Sequence, residues 1–251
     1  MKCREIIILK SLRERRDIIV SLLEKFLLTI LTMLSSTEYL ENTLLPLIEG
    51  ITPKTTDSFI LEACGLSARP STQSISIQMG GLLEKFWNTV FDDMKCNMLG
   101  RSDRINVDGR QRQVDHFIRI PDLMIAEYYY LESKCNVNFD TEKVRASNEK
   151  IHDVARALEE RHDLIEVQRG YFVPVKRDIP IEVSREFTAE GVHIFGVSDL
   201  YRWFKDELPF TIDEYFEFFK YRLAPIIEAL LDGRQVRKVS HGATQKDMDL
   251  L

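Results

Sequence analysis

The spacing of apolar positions changes period several times along the chain, and each change marks an element. Leu82, Leu83, Phe86, Trp87, Val90, Phe91 and Met94 form a stripe of helical period that predicts a helix beginning near Gly80. Beyond it, strand-like runs over 103–107 and 110–119 flank Asp108-Gly109. That dipeptide favours a two-residue hairpin because both positions tolerate positive φ. Pro121-Asp122 marks the next turn, and Leu123 to Leu131 reads as a buried, aromatic third strand. A three-strand meander is therefore expected after the helix.

The pattern then lengthens again. Asp140 is placed as an N-cap for a helix from Thr141 to Arg161, with Val144, Ile151, Val154, Ala155 and Leu158 on one face. Ile165 to Val175 is strand-like but interrupted, and Val192 to Val197 is a short apolar strand running into a helix start at Ser198-Asp199-Leu200. Thr211-Ile212-Asp213-Glu214 has capping-box spacing and opens an aromatic helix of Tyr215, Phe216, Phe218, Phe219 and Tyr221, which Pro225 interrupts. The order is helix, meander, helix, strand, strand, helix, which describes an α/β fold with a mixed sheet flanked by helices.

Towards the start, Asp17 to Leu34 is apolar, but Glu24 and Lys25 break it before it reaches the length of a membrane span. Arg13, Arg15 and Arg16 before it and Ser35-Ser36 after it carry some signal-peptide character. The preferred reading is a buried amphipathic helix, open to a role in a dimer interface. Residues 51–54 and 65–74 read as polar connections, and the tail from Gly233 as a polar extension. Three regions follow: an N-terminal helical region over 1–78, a core over 79–205, and a C-terminal helical region with its tail over 206–251.

The candidate chemistry sits in the meander. A turn centred near residues 121 to 125 brings Asp115 opposite Glu132, where directly facing residues have Cβ atoms about 5 Å apart. Alternation along the strand puts Glu132 and Lys134 on one face and Leu131, Ser133 and Cys135 on the other. Two carboxylates with an ammonium suit Mg²⁺, which takes one or two protein carboxylates and fills its shell with water and phosphate oxygens. His116 follows Asp115 on the opposite face and is expected in the core or supporting the site from behind.

On Asp115, Glu132 and Lys134 the chain resembles the PD-(D/E)xK nuclease superfamily and, within it, a type II restriction endonuclease. The resemblance covers roughly residues 79 to 205. It implies a restriction-endonuclease-like core, Asp115 and Glu132 as Mg²⁺ ligands, and Lys134 as the residue that positions or deprotonates the attacking water. It also implies a role for Glu84, on the preceding helix, in completing the metal shell, and the alternative for Glu84 is a solvated helix position. Site-specific cutting of double-stranded DNA by a homodimer, leaving 5'-phosphates, is what such a resemblance implies. Val114 stands where the family often has proline. The literal Pro121-Asp122 is set aside, because pairing Asp122 with Glu132 would put the turn inside the most strand-like run of the chain.

Charge complicates the picture. Of 251 residues, 34 are Lys or Arg and 40 are Asp or Glu, a net charge of -6, whereas phosphate contacts need local positive charge. Arg101, Arg104, Arg110, Arg112 and Arg119 crowd the meander around Asp115. They either track a DNA backbone and read guanine edges or are solvated strand positions.

Cys3, Cys64, Cys96 and Cys135 lack CxxC spacing, so a reduced cytoplasm is the expected setting, a prokaryotic one as the resemblance implies, and Cys135 a small buried residue. The five histidines show no HExxH spacing, and P-loop, GxGxxG and GxSxG motifs are missing from the sequence. Zinc hydrolases, nucleotide-cofactor enzymes and serine hydrolases are thereby disfavoured. Two alternatives stay open: a repair or recombination nuclease resembling a junction resolvase, and a non-catalytic helical interaction protein.

Overall fold

The computed structural model describes residues 36–52, 55–56, 69–99, 103–120, 126–135, 141–188, 191–204 and 207–232. Asp17 to Leu34, Arg101, Asp122, Asp140 and the tail from Gly233 lie outside them. Residues 36–43 are helical and lead into α1 (Leu45–Glu49). Two short strands, β1 (Thr55–Thr56) and β2 (Arg69–Pro70), pair antiparallel.

Helix α2 runs from Thr72 to Asp93, so it starts well before Gly80, and Thr72 to Ser74 are helix rather than connection. The cause is local. Ser71 caps the helix, its hydroxyl accepting from the Ser74 N–H at 3.3 Å. Gly80 and Gly81 lie mid-helix, where glycine costs about 1 kcal/mol against alanine without ending the helix. The apolar stripe is buried: Leu83, Phe86, Trp87, Val90 and Phe91 have essentially no exposure.

The hairpin forms where expected, with β3 (Arg104–Val107) and β4 (Arg110–Gln113) paired across Asp108 and Gly109, whose φ angles are 49° and 78°. The expected continuous strand over 110–119 is broken, however. β3 and β4 form their own two-stranded ribbon, while β5 (His116–Ile120) joins a separate sheet. Val114 still pairs with the ribbon, its N–H donating to Asp103 O at 3.3 Å. Val114 and Phe117 share one hydrophobic cluster although three positions separate them, so the alternation slips at Val114-Asp115 in the manner of a bulge. Asp115 is thus the residue at which the chain changes sheets, and the three-strand meander is replaced by a ribbon plus a β5–β6 pair.

The main sheet has the order β5, β6 (Glu127–Ser133), β7 (Gln168–Phe172), β8 (His193–Phe195). β5–β6 is antiparallel, and β6–β7 and β7–β8 are parallel, so the sheet is mixed. The parallel steps need crossovers, supplied by α3 (Thr141–His162) and by α4 (Ile181–Thr188). α4 had no counterpart in the sequence pattern. β5's outer edge is covered by residues 96–98, Met98 N–H donating to Phe117 O and Arg119 N–H to Cys96 O, each at 2.8 Å.

The sheet divides the core. One face meets α2, the N-terminal helical residues, α5 (Val197–Phe204), α6 (Ile212–Phe218) and α7 (Ala224–Leu231). Trp87 sits at its centre, edge-on to Phe172 at 5.1 Å and ringed by Phe86, Phe91, Phe210 and Tyr215. The terminal helices therefore belong to the same core as the sheet: Leu40, Leu44 and Ile48 share it with Tyr215 and Leu223. The other face meets α3 through Ile151, Val154, Ala155 and Leu158. The Thr211/Glu214 capping box is present, with bonds of 3.2 and 2.7 Å. Pro225 does not interrupt the helix outright. Five residues of π-helix, Phe219–Leu223, connect α6 to α7, absorbing the N–H that proline lacks.

Candidate active site

Four elements meet at the mouth of the sheet: the start of β5, the end of β6, the middle of α3 and the exposed edge of α2. His116 pairs with Leu131, so the register carried one step outward sets Asp115 abreast of Glu132, as the sequence predicts. The Ser133 N–H donates to Asp115 Oδ2 at 2.9 Å, fixing the Asp115 carboxylate against the end of β6.

Glu132 is only 5% exposed and heavily partnered. Lys134 Nζ lies 2.9 Å from its Oε1, Lys150 Nζ lies 2.7 Å from both oxygens, and the Tyr130 hydroxyl donates to Oε2 at 2.8 Å. Tyr130, Glu132 and Lys134 alternate onto one face, as expected of a strand. Burial pushes the Glu132 carboxyl up, but Lys134 and Lys150 outweigh it and hold the group below its ordinary range. Tyr130 is pushed well up by burial and then by the nearby carboxylates, so its phenol keeps its proton and remains a donor.

Asp115 behaves oppositely. Burial, followed by repulsion from Glu132 and Glu84, pushes its carboxyl up to about 7, against the opposing pull of the Ser133 N–H and Lys150. Glu84 reaches the site from α2, accepting from Gln113 Nε2 at 3.0 Å. Its carboxyl is raised, by burial first, with Gln113, Lys134 and Lys150 opposing and Glu132 adding repulsion. The structure thus brings together all four sequence-predicted catalytic residues, Asp115, Glu132, Lys134 and Glu84.

Three further residues were not legible as site residues. Lys150 stands on α3 one position before the buried stripe of Ile151, Val154 and Leu158. A lysine beside a buried stripe was its one signal, and a weak one. Asn148, 3% exposed, accepts from the buried Tyr171 hydroxyl at 2.6 Å and pins α3 to β7 next to Lys150. Gln113 ends the ribbon against Glu84.

His116 lies on the opposite face, as expected, between Phe91 and Phe172. Its Nδ1 lies 2.8 Å from Asn88 Oδ1, and Nε2 has no hydrogen-bond partner among the described residues. Burial pushes its pKa down to about 3, so the ring is neutral. Cys135 is half-buried against the core, and burial pushes its thiol up to about 11, so it is no ready nucleophile.

The arginines divide. Strand partners point to the same side, so Arg112 shares the helix-facing side of the ribbon with Ile105, and Arg110 shares it with Val107. Arg104, Asn106, Gln111 and Gln113 share the exposed side. Arg119 is exposed on β5, on Asp115's side but about 13 Å along the strand. The four described arginines, Arg104, Arg110, Arg112 and Arg119, therefore do not form one patch.

Among the described residues, no group of three or more His, Cys, Asp or Glu side chains is arranged to hold a metal ion. The Asp115–Glu132 pair nonetheless offers the hard oxygens Mg²⁺ prefers. Asp115's reluctance to ionise beside Glu132 is the condition a divalent cation would relieve. The residues fit such an ion on one condition: Lys150 must yield at least one Glu132 oxygen.

Among the described residues, no helix is long and apolar enough to cross a membrane. No protein-family model matches the chain, and no curated protein matches it in sequence. Among solved structures, Can2 from Sulfobacillus thermosulfidooxidans, in complex with cyclic tetra-adenylate, is similar at a TM-score of 0.36 and 14% identity. That alignment covers 70% of this chain, which spans 55% of the length of Can2.

Proposed function

We propose that the protein is a metal-dependent DNA endonuclease of the PD-(D/E)xK type, hydrolysing phosphodiesters to leave 5'-phosphates. The observation that carries this reading is the Asp115 carboxylate held by the Ser133 N–H at the end of β6, one step beyond the His116–Leu131 pair and so abreast of Glu132, with Lys134 bound to Glu132. Asp115 and Glu132 would hold Mg²⁺, which when bound supplies polarisation of the phosphate and acidifies water. Lys134 orients the attacking water or offsets charge growing on the phosphate. Tyr130 and the Ser133 N–H keep the two carboxylates in place. The water oxygen bonds to phosphorus, the bond from phosphorus to the 3' oxygen breaks, and that oxygen takes up a proton.

Duplex DNA is the proposed substrate, and the ribbon supports this. A two-stranded β-ribbon fits the major groove, and this one ends one residue short of the strand switch that carries Asp115. Its exposed side offers Arg104, Asn106 and Gln111, the side-chain types that read guanine and adenine edges. Site-specific cutting by a homodimer, as in a type II restriction enzyme, is the finer form of the proposal.

The test is incubation of the purified protein with unmethylated phage or plasmid DNA, with Mg²⁺ or with EDTA, beside Asp115→Ala. Discrete fragments that need Mg²⁺ and vanish in the variant establish site-specific cleavage. Nicking confined to branched substrates would replace it with the junction-resolvase reading. Failure to cleave any DNA under any divalent ion would refute the nuclease assignment.

A further inference from the structure

Two ammonium groups hold one carboxylate at the mouth of the sheet, and they hold it differently. Lys134, the motif lysine, touches a single oxygen of Glu132, whereas Lys150 touches both at 2.7 Å. A cation seated symmetrically on a carboxylate occupies the position a metal would compete for. Lys150 is also the more firmly placed of the two. It projects from a helix whose buried face locks onto the sheet and whose Asn148 is tied to Tyr171, while Lys134 lies just past the end of β6. Yet its side chain keeps 27% of its exposure, so the ammonium is not sealed in and can meet an anion arriving from solvent.

Charge points the same way. Asp115, Glu132 and Glu84 carry three negative charges when ionised, and Lys134 and Lys150 carry two positive ones. A divalent cation turns this small negative balance into a small positive one, which a phosphodiester then neutralises. Without Lys150 the same cation would leave no surplus positive charge to receive the phosphate. A structural ion pair has no need of this balance; a site for an anionic substrate does.

We propose that Lys150 is a second catalytic lysine: it guards Glu132 in the metal-free protein and turns to the scissile phosphate when the carboxylates are engaged by a divalent cation. This rests on the nuclease reading above. It predicts that removing Lys150 improves metal binding while it damages catalysis, a combination that a merely structural residue would not give.

The test compares the full-length wild type with Lys150→Met, Lys150→Arg and Lys134→Ala. Mn²⁺ binding is titrated calorimetrically without DNA, and single-turnover cleavage of plasmid DNA is followed at saturating Mg²⁺. Lys150→Met should bind Mn²⁺ at least about tenfold more tightly, because a unit positive charge has left the carboxylates. The same variant should cleave at least about a hundredfold more slowly, the usual effect of losing one group that stabilises transition-state charge. Lys150→Arg, which keeps the charge, should restore wild-type metal affinity.

Weaker metal binding together with a lowered melting temperature in Lys150→Met would mean a structural role and overturn the proposal. Wild-type cleavage by Lys150→Met, with Lys134→Ala inactive, would overturn it and leave the nuclease reading intact. If the wild type neither binds Mn²⁺ nor cleaves DNA, both fall together.

Discussion

Asp115 is held in an environment that favours its neutral form, and replacing it by asparagine should stabilise the metal-free protein at neutral pH. The shape is preserved: asparagine's Oδ1 can still accept the Ser133 N–H, and what is lost is a charge repelled by Glu132 and Glu84. The folded chain holds the Asp115 proton more tightly than the unfolded chain, with a pKa of about 7 against an ordinary 3.8. Stability from this group is therefore complete below about pH 4 and is lost as the pH rises through 7. At about 1.4 kcal/mol for each tenfold change in proton affinity, the upper bound is about 4 kcal/mol. Asp115 is partly open to solvent, and screening reduces this to about 1 to 2 kcal/mol. For a chain of this size that is about 3 to 6 °C in melting temperature.

Wild type and Asp115→Asn should be unfolded by heat and by urea at pH 5 and pH 8 with a chelator present. The variant's advantage should be smaller at pH 5 than at pH 8, where it is full, and adding Mg²⁺ should stabilise the wild type alone. A variant less stable than wild type at pH 8, or an advantage that does not change with pH, would refute the argument that burial, with repulsion from Glu132 and Glu84, disfavours the charged form of Asp115.

Other outcomes can be checked alongside. Gly170→Ala should destabilise by about 1 to 3 kcal/mol in urea unfolding, because a Cβ there would stand 2.6 Å from Phe195 Cε2 and 2.9 Å from His193 O. Tyr215→Phe should cost about 1 to 3 kcal/mol by the same measurement. It strands both the Trp87 Nε1–H donated to the hydroxyl at 3.2 Å and the Pro174 carbonyl that accepts from it at 3.1 Å. Arg119→Ala should weaken DNA binding across all sequences and lower the salt slope by about one. Gln111→Ala should instead relax which sites are cut, as read by sequencing the fragment ends.

The parts of this architecture written in local pattern were legible in advance. Asp108-Gly109 specified its turn by needing positive φ twice, and the Asp115–Glu132 register followed from counting back from the next turn. The helical stripe from Leu82 to Met94 and the capping box at Thr211 were likewise matters of spacing. What escaped depended on through-space neighbours. The slip at Val114-Asp115 is set by β6 claiming the chain from β3, a competition between strands distant in sequence. The early start of α2 turned on a serine cap, which a Gly-Gly pair downstream obscured. Lys150 comes to Glu132 only because α3 crosses over between two parallel strands, so no spacing in the primary sequence relates the two.

Strand β6 has a position whose consequence reaches beyond the site. Hydrogen-bonded on both edges, it sends Leu131 into one half of the core and its neighbour Tyr130 into the other, both fully buried. Neither half can be dismantled without disturbing this strand. Heat and denaturant should consequently melt the two halves in a single transition. The amides of Tyr130 and Leu131 should be among the last to exchange with solvent, opening only when the whole molecule does. Glu132 follows Leu131 directly on this strand, so its backbone should be held as firmly as that of the core.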